Sequence, residues 1–173
     1  MKNYKKVVYI CLILSLTLMM LFTGCSSNQS GSTMDEPDIT VGYLEGDYAQ
    51  QLLRDGAEHY FGNINIIDME DGSIVLDIKT MTFVEDTSHP DGYYCEDRNF
   101  SLGCQLAEEA RCTFIQGNMS IPQIVTAAEF VEAYRNDIAQ NGGEENAEYV
   151  ESRLFDIYIM NGQIELVLAK VLP

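Results

Sequence analysis

The chain has 173 residues, with 27 acidic side chains against ten basic ones and a formal net charge of −17. Such a surface repels phosphate backbones and anionic headgroups, which argues against nucleic acid as a partner. Hydrophobic residues make up 46% of the chain, enough to build a core that needs no disulfide or metal to fold.

Lys2, Lys5 and Lys6 give a basic start, an apolar run follows from Val7 to Phe22, and Thr23-Gly24-Cys25 closes it. A basic segment, an apolar segment and small residues before a processing point are the three parts of a secretory signal. The run has 16 residues. As a helix it would reach about 24 Å, short of a ~30 Å hydrocarbon core, so it reads as a signal and not as a membrane span. Thr23-Gly24-Cys25 resembles the lipobox of bacterial prolipoproteins, with Phe22 where that family usually carries a small aliphatic residue. The resemblance implies that residues 1–24 are a signal peptide and that the Cys25 thiol takes a diacylglyceryl group and becomes the new N-terminus. Acyl chains contribute about 0.8 kcal/mol per buried CH₂, so two of them make a lasting anchor. The expected partner at this end is the membrane, on its extracytoplasmic face.

Residues 25–38 are rich in Ser and Gly without apolar periodicity and read as a flexible tether. At about 5–6 Å × √n, Ser26 to Asp38 would hold the following domain roughly 20 Å from the lipid. Residues 39–173 form a single acidic β-rich domain. All 27 acidic residues follow Cys25, whereas only seven of the basic ones do.

A short helix is expected from Asp47 to Asp55, with Tyr48, Leu52 and Leu53 inward and Gly56 as terminator. Glu70-Asp71-Gly72 reads as a three-residue hairpin loop that pairs Ile66 with Leu76 and Ile64 with Ile78. The apolar phase then shifts towards Met81 and Phe83, which predicts a bulge near Thr80. His89-Pro90-Asp91-Gly92 is a turn. Tyr93-Tyr94-Cys95 and Phe100-Ser101-Leu102 are expected to flank a further hairpin around Glu96 to Asn99, and Cys112 to Ile115 a separate strand. Thr126 and Glu129 form a capping box, and Phe130, Tyr134 and Ile138 repeat at helical spacing until Asn141-Gly142-Gly143. Asn161-Gly162 is the preferred pair for a two-residue hairpin turn. It sets Ile159 opposite Ile164, Ile157 opposite Leu166 and Phe155 opposite Leu168, with Asp156, Tyr158, Gln163 and Glu165 on the wetter face. The class is α+β: a curved antiparallel sheet or partly open β-barrel, one main covering helix at about 126–140 and a C-terminal β-hairpin.

Chemistry is sparse. Cys95, Cys104 and Cys112 follow Cys25 at wide intervals with no Cys-x-x-Cys, which leaves no thioredoxin-like or zinc-ribbon pattern. In an oxidising compartment Cys104 and Cys112 are candidates for a disulfide, with Cys95 and Cys104 as the rival pair. Cys95 with His89 is a formal nucleophile pair, although His89 lies beside a turn; His59, between aromatic neighbours, reads as ordinary partial burial. Glu85, Asp86 and Asp91 are a loose calcium candidate, while Asp68 to Gly72 misses the EF-hand order. No cofactor is expected. Tyr43, Tyr48, Tyr60, Tyr93 and Tyr94 offer either recognition surface or packing at sheet edges.

Asp91-Gly92-Tyr93-Tyr94, Thr126 to Val131 and Asn161-Gly162-Gln163-Ile164 give the folded part a general likeness to small β-rich domains of Gram-positive extracytoplasmic lipoproteins. That likeness implies location and little chemistry. The expected function is a non-enzymatic binding or interaction module at the cell envelope, with an envelope protein or small ligand as partner. The alternatives are an envelope hydrolase using acidic residues or Cys95 with His89, and a calcium-dependent structural module.

Overall fold

A computed structural model of the chain describes residues 39–116 and 120–172. The expected signal peptide, Cys25 and the tether lie outside the described residues. Among the described residues no helix is long and apolar enough to cross a membrane.

The first helical stretch starts at Thr40, whose hydroxyl accepts from the Tyr43 amide. It runs through α1 (Val41–Tyr43), a π-helical turn (Leu44–Tyr48) and α2 (Ala49–Arg54), so it begins earlier than the sequence predicts. Gly56, at a φ of +99°, stops it as expected, whereas Leu53 is exposed and Leu52 alone of the pair turns inward. The strands β1 (Glu58–Asp68) and β2 (Ile74–Glu85) form the predicted hairpin, with Ile66 opposite Leu76 and Ile64 opposite Ile78. Asp71 accepts from the Ser73 amide and hydroxyl in the loop.

The largest departure comes next. Tyr93–Phe114 is one continuous strand, β3, and no hairpin turns at Glu96 to Asn99. Asn99 does take positive φ, but inside a bulge: Lys79 of β2 faces Ser101 and Met81 faces Asp97. The extra residues therefore sit on β3, opposite Thr80, whose hydroxyl donates to the Phe100 carbonyl at 2.6 Å. The phase shift read near Thr80 is real, and β3 supplies its bulk.

The remaining elements are β4 (Gln123–Thr126), α3 (Ala127–Gln140), α4 (Ala147–Ser152), β5 (Phe155–Met160) and β6 (Gln163–Ala169). The α3 capping box is complete: the Glu129 amide donates to Thr126 Oγ1, and the Thr126 amide donates to Glu129 Oε2. The six strands form one sheet in the order β2–β1–β5–β6–β3–β4, and β2 also pairs with β3. The sheet is thus curved and ring-like, not a barrel. It is mixed and not antiparallel, because β3 and β6 run parallel.

The β5–β6 hairpin turns at Asn161-Gly162, both at positive φ, and opposes Ile159 and Ile164 as predicted. Beyond that the expected register slips by one. Glu165 is an extra residue, so Tyr158 faces Leu166, Ile157 faces Val167 and Phe155 faces Ala169. A one-residue slip exchanges faces. Ile164, Val167 and Ala169 join the main core with Phe130, Phe155 and Ile157, whereas Leu166 and Leu168 join a second core. Leu44, Ala49 and Leu52 cover that second core, and Tyr158 is buried there instead of lying on a wet face.

On the main side α3 sends Phe130 edge-on against Phe114 and Phe155, with ring centroids 6.0 and 5.6 Å away. Tyr134 donates its hydroxyl to the Ile64 carbonyl at 2.6 Å, which ties helix to sheet. Burial pushes that phenol up to about 12.

Candidate functional site

The most chemically loaded cluster lies where the sheet's outer face escapes its helical cover. β1 and β5 are antiparallel, with His59 opposite Tyr158 and Phe61 opposite Asp156. His59 and Asp156 are therefore diagonal neighbours on one face. His59 Nε2 lies 2.9 Å from Asp156 Oδ1, and its ring stacks on Tyr158 with centroids 4.7 Å apart. Lys170, just past the end of β6, places Nζ 3.0 Å from Asp156 Oδ2. The carboxylate is thus held from both sides. Burial alone pushes the Asp156 carboxyl up, but hydrogen bonds and charge from His59 and Lys170 prevail and keep it below the ordinary carboxylate range.

This cluster forms one wall of a cleft of about 570 Å³, lined also by Phe61, Met81, Phe83, Arg98 and Val171. That size and mixture, apolar walls with a few converging polar groups, are characteristic of ligand sites. A second concavity of about 520 Å³ lies on the other side of His59 and Asp156, next to Glu45 and Tyr158.

Strand geometry creates the larger cleft. At Gly62, β1 passes so close to β2 that a Cβ would collide with the Lys79 carbonyl oxygen. Beyond that crossing, β1 turns to pair with β5, while among the described residues β2 continues with β3 alone. No protein-family model, curated protein or solved structure matches the chain.

The residues singled out from sequence fare differently. Cys95, Cys104 and Cys112 are all free thiols on the single strand β3, so neither the Cys104–Cys112 bridge nor the Cys95–Cys104 bridge forms. A strand rises about 3.3 Å per residue, and separations of eight or nine residues greatly exceed the 4.4–6.8 Å Cα spacing of a disulfide. Burial raises the Cys95 thiol, the reverse of what a nucleophile needs, and pushes Cys112 up to about 12. His89 packs near Tyr94, which points to the opposite strand face from Cys95, and its Nδ1 faces Asp91 at 4.0 Å. Cys95 and His89 are not brought together. Asp86 spends its carboxylate on the Ser88 amide and hydroxyl, 2.8 and 2.6 Å away, closing the loop around His89 to Gly92. Glu85, Asp86 and Asp91 do not converge, and among the described residues no group of three such ligands is placed to hold a metal.

The tyrosines are dispersed and not gathered on one face. Tyr43 stacks with Tyr48, Tyr93 with Phe83, and Tyr60 lies near Phe100. Asp156 and Lys170 are the site residues that sequence reasoning missed. One signal was present: an acidic residue interrupting the apolar Leu154 to Met160 run.

Proposed function

We propose that this chain is a lipoprotein, anchored at Cys25 on the extracytoplasmic face of the membrane, whose folded domain is a non-enzymatic binding module. The observation that carries the binding half is the cleft beside His59, Asp156 and Lys170, which combines apolar walls with convergent charge. Support for the anchor is Thr23-Gly24-Cys25 behind a basic start and an apolar run. A depressed Asp156 favours the binding reading, because a carboxylate kept ionised by its hydrogen bonds to His59 and Lys170 serves as a fixed anchor and is a poor general acid.

One observation favours a hydrolase instead, the short His59–Asp156 contact, which resembles the orienting half of a nucleophilic triad. That reading needs a hydroxyl or thiol on the ring's other side, and among the described residues none is hydrogen-bonded to His59.

Metabolic labelling with a fatty-acid analogue and cell fractionation test the anchor. Label is expected on the wild type and absent from Cys25→Ser, which leaves the membrane fraction. An unlabelled wild type with undiminished membrane retention of Cys25→Ser contradicts it.

A further inference from the structure

We propose that the cleft receives an extended peptide segment carrying an acidic side chain, added as a strand along the free edge of β2 at Met81–Glu85. This rests on the binding-module reading and names the partner class. β1 pairs with β2 only from Gly62 to Asp68, opposite Ile74 to Thr80. Among the described residues Met81 to Glu85 are held by β3 alone, and Glu58 to Phe61 by β5 alone. Among the described residues each segment presents a row of backbone donors and acceptors without a ladder partner, which is the template for strand addition. Proteins usually block such edges with Lys or Pro. Met81-Thr82-Phe83-Val84-Glu85 carries neither, and its one charge, Glu85, stands at the end of the segment.

The cleft follows this edge. It touches Met81, Thr82 and Phe83 in succession. Successive strand side chains point to opposite faces, so a pocket on one face alone would touch every second residue. The separation is built in: Gly62 permits the close crossing, and the Asn99 bulge with its Thr80–Phe100 bond bends the arm there.

The chemistry of the walls selects the occupant. Phe61 and Phe83 offer apolar seats for alternate side chains, while Arg98 and Lys170 supply positive charge. Among the described residues Arg98 makes no ion pair, and Lys170 shares Asp156 with His59. Glu85 and Asp156 line the cleft too, but Asp156 is paired with Lys170, and Glu85 stands opposite Tyr93 at the far end of the edge segment, whereas Arg98 follows Asp97, which faces Met81; an acidic side chain is therefore received at the Arg98 end.

The test selects from a random octapeptide library on the detergent-solubilised full chain and measures affinity by fluorescence polarisation. The expected winners alternate apolar residues and carry Glu or Asp. Their affinity falls about tenfold or more when that residue becomes Gln or Asn, and when alternate peptide amides are N-methylated in one of the two phases. Both arms use the wild-type protein, so no folding defect enters. On the protein side, Arg98→Glu weakens binding and Arg54→Glu, an exposed cation elsewhere, does not. Winners indifferent to N-methylation in both phases, or to loss of their acidic group, overturn the inference. If no peptide is selected but anilinonaphthalene sulfonate binds and is lost in Phe83→Asp, strand addition fails and the binding module stands. If neither probe binds, both readings fail.

Discussion

Asp137 and Asp156 each gather two partners, yet one cluster is closed and the other opens onto a cleft. Asp137, on α3, accepts from the Tyr149 hydroxyl at 2.8 Å and lies 3.2 Å from Arg153 Nε, an ion pair whose alignment is too poor for a hydrogen bond. The Arg153 guanidinium lies over the Phe114 and Tyr149 rings and donates to the Ile115 carbonyl. Every member is committed to joining α3, α4 and the end of β3. Around Asp156 the two partners are half open, His59 being 38% and Lys170 47% exposed, while the carboxylate is 16% exposed. The difference shows that a largely buried carboxylate with two close partners does not by itself mark a site. What distinguishes Asp156 is that its partners can turn to a newcomer without unfolding anything.

The sharpest way to break this comparison is Arg153→Ala. It leaves Asp137 buried without its cation and should cost about 3–5 kcal/mol, read from urea unfolding. A loss under about 1 kcal/mol would place the Asp137 cluster in the same class as the exposed one. Asp156 gives a smaller effect with a pH signature. Its folded pKa lies below the unfolded value of about 3.9, so its stabilisation is present above that pH and disappears as pH falls through the folded value. The difference in urea midpoint between wild type and Asp156→Asn should therefore be clear near about pH 5 and shrink towards about pH 2. A difference that grows in acid contradicts the assigned ionisation. Lys170→Ala should change stability least, by about 1 kcal/mol or less, because an exposed ion pair is worth little. Its consequence should instead appear in binding at the cleft.

Legibility followed the range of the signal. The β1–β2 register could be read because Gly72 and the alternation around it act locally, and the capping box of Thr126 and Glu129 is local too. β3 misled because Asn99 looks alike in sequence whether its positive φ serves a turn or a bulge; the pairing of β3 with both β2 and β6 decides between them. The Glu165 bulge was invisible for a related reason. Alternation assumes one dry face, while the helical stretch ending in α2 buries the second face of β6 through Leu166 and Leu168. Asp156 was read as a solvated position because its partners come from residue 59 on one side and residue 170 on the other. The cleft itself depends on a strand crossing at Gly62, and one glycine in a strand does not announce which backbone it will meet.

Amide hydrogen exchange along β2 tests the central claim most directly, since the cleft exists only if β1 and β2 part at Gly62. Leu76 and Ile78, paired on both sides, should be protected, while alternate amides from Met81 to Glu85 exchange at rates close to those of free peptide. Uniform protection from Leu76 to Glu85 would mean that the edge is already occupied, and the account of an open receiving strand would be wrong.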